Sequence, residues 1–152
     1  MAKGIARLQL DGSVCRIAIV RTRWNPDVVD LLERRCLVAL TDSGVPERNI
    51  FRSQVPGSFE LPMGARRAID HHEVDAVIVL GTLVKGETMH FEYISAAVAD
   101  GVMSLSLERG VPIIYGVLNC LSEEQAVHRA SQDGLDHGYE WGLSAVEMTM
   151  HE

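Results

Sequence analysis

The sequence predicts an α/β protein, a three-layer α/β/α sandwich around a four-stranded parallel sheet. Short apolar runs alternate along the chain with longer stretches in which apolar residues recur at helical spacing. Two of the runs, AVIVL at 76–80 and VPIIYGVL at 111–118, are apolar without alternation, which is typical of central parallel strands covered on both faces. An opening strand followed by four strand–helix units favours parallel pairing with right-handed crossovers.

The first elements follow from local patterns. The segment Ile5–Leu10 alternates weakly and predicts an edge strand or an arm, and Arg16–Val20 predicts a strand rich in β-branched residues. Asn25 is the predicted N-cap of the first helix, with Pro26 in its first turn. Gly44 predicts the end of that helix. The apolar positions that share one side of it are Val28, Val29, Leu32, Cys36, Ala39 and Leu40.

The next pair of elements surrounds a Pro-Gly turn. Asn49–Val55 predicts the second strand, and Pro56-Gly57 predicts the turn after it. A helix is expected over Leu61–Asp70, with a proline in its first turn. The strand over Ala76–Leu80 follows.

The last elements are marked by their boundary residues. Phe91–Arg109 carries apolar residues at helical spacing, and Gly110 predicts its end. After the strand Val111–Leu118, a capping box over Ser122–Gln125 predicts a short helix. Gly138–Met150 predicts the final helix, with Trp141, Ala145 and Met148 on one stripe.

Length and composition restrict the class of protein. The 152 residues predict one domain over 1–152, and 47% hydrophobic residues are enough for a core. The net charge of −7 argues against general binding to nucleic acid or to an anionic membrane. No apolar run reaches the roughly 20 residues that span a bilayer, and no secretory signal is seen. We therefore expect a cytoplasmic protein.

Neither a disulfide framework nor a metal site is expected. Cys15, Cys36 and Cys120 are odd in number and far apart. No HxxxH, HxH or paired Cys/His spacing occurs.

In a parallel α/β sheet, the functional site lies beyond the carboxyl ends of the strands. Four segments are expected there, at 23–25, 55–60, 81–90 and 119–121. In the third, Gly81 and Gly86 bracket a predicted loop that leads into a helix. Backbone N–H groups and the Thr88 hydroxyl at that helix start favour an anion site, and His90 is placed to exchange protons near neutral pH. The alternative is an ordinary turn with an exposed histidine.

The first two segments carry groups that suit a polar ring. Ser58, Phe59 and Glu60 follow the Pro-Gly turn and present a hydroxyl, an aromatic ring and a carboxylate, which can bind a polyol or a heterocycle edge. Trp24 can stack on a flat ring. The alternatives are a helix start whose carboxylate faces the positive helix end, and a tryptophan that covers the core.

Farther along the chain, Arg129 and His137 together can hold a phosphate. The alternative for Arg129 is a solvated residue near the last carbonyls of its helix.

Taken together, these segments resemble the 6,7-dimethyl-8-ribityllumazine synthase family over nearly the whole chain. The resemblance rests on the order and spacing of several short motifs. They are Arg23-Trp24-Asn25, 55–62 (VPGSFELP), 81–93 (GTLVKGETMHFEY), 115–118 (YGVL), 124–126 (EQA), Arg129-Ala130 and Glu147-Met148.

The resemblance implies a flavodoxin-like fold and a transferase of riboflavin biosynthesis. The family joins 5-amino-6-(D-ribitylamino)pyrimidine-2,4-dione to 3,4-dihydroxy-2-butanone 4-phosphate and releases phosphate and water, with no cofactor or metal. It also implies a pentamer, or twelve pentamers in an icosahedral shell, with each site shared between adjacent subunits. Riboflavin synthase is a possible partner.

The resemblance assigns roles to individual residues. His90 would transfer protons, and Trp24 would stack on the pyrimidinedione. The groups expected to bind the pyrimidinedione and its ribityl chain are Trp24, Ser58, Phe59, Glu60, Leu83, Val84, Lys85, Tyr115 and Asn119. The groups expected to bind phosphate are Gly86, Glu87, Thr88, Arg129 and His137. Of these, Tyr115, Asn119 and Arg129 would come from the neighbouring subunit.

The sequence departs from the family pattern at two of these positions. Tyr115 stands where phenylalanine is frequent, and His137 stands where lysine is common. The second change weakens the expectation that position 137 contacts phosphate.

Two other functions compete with this interpretation. A Schiff-base aldolase or lyase would use Lys85 as its amine nucleophile. A non-catalytic shell protein would bind flavin or lumazine without turnover. A signalling receiver is disfavoured, because 21–25 and 81–86 lack the acidic residues that it needs at strand ends.

Overall fold

The computed structural model describes residues 8–150 and contains four strands and five α-helices in that range. In chain order they are β1 (Ile17–Thr22), α1 (Pro26–Asp42), β2 (Ile50–Val55), α2 (Leu61–His72), β3 (Ala76–Val84), α3 (His90–Arg109), β4 (Ile113–Cys120), α4 (Glu123–Ala130) and α5 (His137–Thr149). Single 3₁₀ turns at Glu47–Asn49 and Ser58–Glu60 precede β2 and α2.

The four strands form one parallel sheet in the order β2-β1-β3-β4. This is the beginning of the flavodoxin-like order, and it confirms the predicted fold class. One hydrophobic core lies between the sheet and α1, α4 and α5, and a second lies between the sheet and α2 and α3. The predicted three layers are therefore present.

Strand alternation explains how the sheet supplies both cores. Ile17 and Ile19 of β1 belong to the first core, whereas Ala18 and Val20 belong to the second. All four are at most 1% exposed, as expected for a strand covered on both faces.

Three predicted strand ends were wrong, and all three concern the expected site. β1 continues past Val20 to Thr22, where it pairs with β2. β3 continues past Leu80 to Val84, and β4 continues past Leu118 to Cys120. The two extensions pair with each other, from Gly81 opposite Val117 to Val84 opposite Cys120. Mutual hydrogen bonding therefore converts the first part of the predicted loop 81–90 into strand.

Two helix caps in the structure differ from the predicted ones in their hydrogen bonds. Asn25 occupies the N-cap position of α1, but its side chain makes no capping hydrogen bond. At α4, Ser122 Oγ accepts from Gln125 N at 3.2 Å, as predicted. The Gln125 side chain accepts instead from Leu121 N, so the reciprocal half of the capping box is absent.

The predicted N-terminal strand lies mostly outside the described residues. Leu8–Leu10, the part of Ile5–Leu10 that the structure describes, has no regular secondary structure. None of the helices within 8–150 has the length and apolarity required to cross a membrane.

Candidate active site

A cavity of about 340 Å³ opens at the carboxyl ends of β1 and β3. Three of the four predicted segments meet there, together with the first turns of α3. The lining residues are Thr22, Trp24, Asn25, Gly57, Ser58, Phe59, Glu60, Thr82, Leu83, His90 and Ile94. The structure thus brings six predicted site residues into one cavity: Trp24, Ser58, Phe59, Glu60, Leu83 and His90.

Trp24 forms one wall of this cavity and is 59% exposed. Its backbone is held by a hydrogen bond from Trp24 N to Pro56 O at 3.1 Å, next to one from Arg23 N to Val55 O at 2.7 Å. The Thr22 hydroxyl donates to Trp24 O at 3.0 Å. These bonds extend the pairing of β1 with β2 by two residues. They also fix the backbone from which the indole side chain projects.

The opposite wall comes from the turn between β2 and α2. Glu60 Oε2 accepts from Gly57 N at 3.0 Å, which holds the carboxylate inside the turn. Ser58 is 5% exposed, and its Oγ has no hydrogen-bond partner among the described residues. A buried hydroxyl without a partner carries an energetic penalty, which a polar ligand in the cavity would remove.

Gly81 allows this hydroxyl to reach the cavity. A β-carbon at position 81 would lie 2.7 Å from Ser58 Oγ and 3.1 Å from Thr22 Cγ2. Close packing of β3 against β1 and the turn before α2, rather than a loop conformation, therefore explains the glycine.

His90 is the first residue of α3 and is exposed at the mouth of the cavity. Its backbone N–H lies 3.4 Å from Thr88 Oγ1. The imidazole is thus placed where the positive end of a 20-residue helix meets a pocket with polar walls.

Apart from Thr82, Leu83 and His90, the residues of the segment 81–90 do not line the cavity. Val84 lies on the other face of β3 from Leu83 and lines a smaller cavity next to α1 and α4. Gly86, Glu87 and Thr88 are exposed and lie between the end of β3 and His90. Lys85 is also exposed and forms an ion pair with Glu92.

Tyr115 and Asn119 form a separate cluster on β4. Tyr115 OH donates to Asn119 Oδ1 at 2.9 Å, and Asn119 Nδ2 donates to Ser95 Oγ at 2.8 Å. Burial raises the pKa of Tyr115, and the hydrogen bond with Asn119 opposes that shift. Neither residue is among those that line the cavity.

Arg129 and His137 also lie away from the cavity, on the α4–α5 side of the sheet. Arg129 Nη1 donates to Gln125 O at 3.3 Å. His137 stacks on Trp141, with ring centroids 5.6 Å apart. Burial is the main cause that lowers the pKa of His137. The charge of Arg129 also lowers it, so the two predicted phosphate ligands are electrostatic neighbours.

Within residues 8–150, no three His, Cys, Asp or Glu side chains are grouped so as to hold a metal ion.

Comparison with known proteins identifies the family. Residues 14–152 match a family model described as 6,7-dimethyl-8-ribityllumazine synthase. The protein of that name from Schizosaccharomyces pombe (strain 972 / ATCC 24843) is 46% identical over 148 residues, which cover 96% of this chain and 93% of the relative. A protein of the same name from Pyricularia oryzae (strain 70-15 / ATCC MYA-4617 / FGSC 8958) is 37% identical over an alignment of 184 residues, with 96% and 92% covered. The chain belongs to the 6,7-dimethyl-8-ribityllumazine synthase family.

Family membership and geometry both disfavour the Schiff-base alternative. An amine nucleophile needs its neutral form, which a desolvated pocket favours. Lys85 is 42% exposed, is paired with the Glu92 carboxylate and does not line the cavity.

Five of the lining residues were not predicted as site residues: Thr22, Asn25, Gly57, Thr82 and Ile94. Position in the sheet could have indicated Thr22, because it ends β1 at the edge where the site was expected. Helical spacing could have indicated Ile94, which lies one turn after His90. Asn25 lies in the segment 23–25 that was expected at this edge of the sheet, but its residue type was interpreted only as a helix cap.

Proposed function

We propose that this chain is a 6,7-dimethyl-8-ribityllumazine synthase. It would join 5-amino-6-(D-ribitylamino)pyrimidine-2,4-dione to 3,4-dihydroxy-2-butanone 4-phosphate and release phosphate and water. The observation that carries the proposal is the single cavity that combines an aromatic wall, a buried hydroxyl without a partner and His90. The match to the family over residues 14–152 supports it.

The pyrimidinedione substrate is matched to the apolar and polar walls of the cavity. Its flat ring would stack on Trp24, with Leu83 and Phe59 beside it. Its ribityl hydroxyls would bond to Ser58 Oγ and to Glu60, whose second carboxylate oxygen already accepts from Gly57 N. Holding two reactants in register in this way can contribute several kcal/mol of barrier reduction.

The proposed reaction requires proton transfers, and it requires no electron sink. The 5-amino group attacks the ketone carbonyl, and the carbinolamine loses water. Phosphate is then eliminated, which leaves a new carbonyl after tautomerisation, and the ribitylamino nitrogen attacks this carbonyl and loses a second water to close the ring. His90 is assigned the proton transfers, because it lies at the cavity mouth and an imidazole can both accept and donate a proton. No cofactor or metal is required for these steps.

The phosphate would bind at the amino end of α3. Gly86, Glu87 and Thr88 precede this helix, and the positive helix end favours an anion there. Val84 and Lys85 do not line this cavity, so they are assigned no contact with the ring.

A complete site requires a second subunit. Arg129 and His137 suit a phosphate but lie away from the cavity of their own chain, and Tyr115 and Asn119 lie on the β4 edge. A cyclic pentamer with head-to-tail interfaces would bring these residues of one chain against the cavity of the next. Pentamers could remain free or close into an icosahedral shell of sixty subunits.

Three further assignments belong to this proposal. The chain is one domain, it acts in the cytoplasm, and riboflavin synthase consumes its product.

The direct test mixes the two substrates with purified protein and follows lumazine fluorescence. Formation of lumazine supports the proposal, and binding without turnover would identify the non-catalytic alternative. Light scattering on the same sample distinguishes a pentamer from a sixty-subunit particle, which is twelve times heavier.

Subunit mixing tests the shared site. His90→Ala and Arg129→Ala should each reduce turnover severely when assayed alone. Oligomers reassembled from both variants should regain activity, because some interfaces then combine an intact His90 with an intact Arg129. Mixtures that stay as inactive as the single variants would argue for a site within one chain.

A further inference from the structure

Lys85 and Glu92 form an ion pair across the loop that joins β3 to α3. Lys85 follows the last residue of β3, Glu92 lies in the first turn of α3, and Lys85 Nζ contacts Glu92 Oε1. The two side chains are 42% and 34% exposed. The segment 86–90 lies between them in the chain, and it carries the residues assigned above to phosphate binding and proton transfer.

The backbone on either side of this loop is held without the ion pair. Lys85 N donates to Cys120 O at 2.9 Å, which continues the pairing of β3 with β4. At the other end, Tyr93 N donates to Met89 O at 3.2 Å in the first turn of α3. Because a partly exposed ion pair contributes little to stability, its significance here is electrostatic rather than structural.

The carboxylate of Glu92 is unfavourably placed for an anion site. Its Oε2 is buried and has no hydrogen-bond partner among the described residues, so water screens this charge poorly. A carboxylate in the first helical turn also interacts with the positive helix end, where the phosphate would bind. Glu92 without a countercharge would therefore oppose phosphate binding.

We propose that Lys85 neutralises Glu92 and thereby allows the phosphate-bearing substrate to bind at the amino end of α3. This inference rests on the proposed function. Lys85 acts through Glu92 and needs no contact with either substrate, so it is a positioning residue rather than a phosphate ligand. The effect of removing the lysine must then depend on the presence of the glutamate.

Three variants test this dependence. Lys85→Met leaves Glu92 unpaired and should raise the KM for 3,4-dihydroxy-2-butanone 4-phosphate by about five- to tenfold. Glu92→Gln removes the opposing charge and should leave that KM unchanged or lower it. The double variant should return to within about twofold of the wild-type KM. In all three, kcat and the Kd for the pyrimidinedione should stay close to their wild-type values.

Two further measurements separate an electrostatic effect from a structural one. The KM ratio of Lys85→Met to wild type should fall between about 0.1 M and about 1 M NaCl, because the Debye length shortens from about 10 Å to about 3 Å. The Kd for inorganic phosphate, measured by titration calorimetry, should rank the four proteins in the same order without any turnover.

Arg109→Met is the matched control. Arg109 Nη2 lies 2.6 Å from Asp70 Oδ1, and the two side chains are 32% and 42% exposed. Arg109 is the last residue of the 20-residue helix α3, roughly 30 Å from the amino end at 1.5 Å per residue. This variant loses an ion pair of similar exposure and the same charge, and its KM for the phosphate-bearing substrate should equal that of the wild type.

Three results would overturn the inference. A Lys85→Met protein with the wild-type KM would show that the lysine has no such role. A double variant as weak as Lys85→Met would make Lys85 a direct phosphate ligand. Equal increases in KM for Lys85→Met and Glu92→Gln would show that the ion pair braces the loop. A wild-type protein that forms no lumazine but keeps the expected order of phosphate affinities would count against the proposed function and support the inference.

Discussion

The indole ring of Trp24 lies directly against the backbone of Gly57. A β-carbon at position 57 would come within 2.4 Å of Trp24 Cε3 and 2.5 Å of Cζ3. Gly57 has φ −139°, an extended conformation that any residue can adopt, so contact with the ring rather than backbone freedom explains the glycine. The glycine therefore sets the position of the aromatic wall of the cavity.

Gly57→Ala should displace the Trp24 ring and weaken pyrimidinedione binding severalfold. Because Trp24 is 59% exposed, the ring can swing outward, and we expect the free energy of unfolding to change by less than about 1 kcal/mol. Calorimetric titration and thermal unfolding measure the two effects separately.

Gly86→Ala is the control for this prediction. A β-carbon at position 86 would meet nothing within 4 Å, so pyrimidinedione affinity should be unchanged. Equal affinity in the Gly57→Ala and wild-type proteins would show that the position of the ring does not control binding.

His90→Ala should lower kcat by about a hundredfold or more while the Kd for the pyrimidinedione changes little. The physical reason is that, under the proposed function, the imidazole would move protons at the reacting atoms, whereas Trp24 and Ser58 would contact the ring and the ribityl chain. Steady-state kinetics at saturating concentrations of both substrates measure kcat. An unchanged turnover would remove His90 from the proton-transfer steps.

Glu33→Ala should destabilise the fold by about 2–3 kcal/mol, because a buried ion pair would lose its central carboxylate. Glu33 is 5% exposed, and its Oε1 accepts from Arg52 Nη2 at 2.7 Å and lies 3.4 Å from Arg21 Nη1. Arg21 is largely buried and would keep its hydrogen bond from Nε to Thr22 O at 3.1 Å and its contact with Asp30 at 2.5 Å. Denaturant unfolding measures the loss.

Arg52→Ala provides the comparison for Glu33→Ala. The Arg52 side chain is 55% exposed, so solvent screens its contribution, and its loss should cost less than about 1 kcal/mol. Similar losses for the two variants would contradict a buried role for Glu33.

The stability of the protein should depend on His137 in mildly acidic solution. Burial is the main cause that lowers the pKa of His137 from its ordinary value of 6.5, and the charge of Arg129 also lowers it. Below pH 6.5 the unfolded chain therefore binds a proton at this residue more readily than the folded chain does. The free energy of unfolding should fall as the pH drops from 6.5 to the lowered pKa, and this contribution should stay constant below it.

His137→Gln should remove that part of the pH dependence. Tm measured at pH 7.5 and pH 5.5 should differ less in the variant than in the wild type. His128→Gln, which changes an exposed histidine of α4, should retain the wild-type difference. A variant with the full wild-type difference would assign the pH dependence to other groups.

Most of the fold was predictable because its signals are local. The apolar runs without alternation at β3 and β4 indicated buried parallel strands, and Pro26 and Gly44 marked the ends of a helix to within a turn. Strand ends were harder, because β3 reaches Val84 only through pairing with the last residues of β4. No local pattern encodes that pairing.

The motifs in the chain were sufficient to identify the family, since their order and spacing can be read without coordinates. Folding in three dimensions selects which of those residues share a cavity. Successive strand residues face opposite sides of the sheet, so Leu83 enters the cavity and Val84 does not. The hydrogen bond from Asn25 Nδ2 to Thr82 O likewise joins residues 57 positions apart, and it exists only because β1 and β3 are neighbours in the folded sheet.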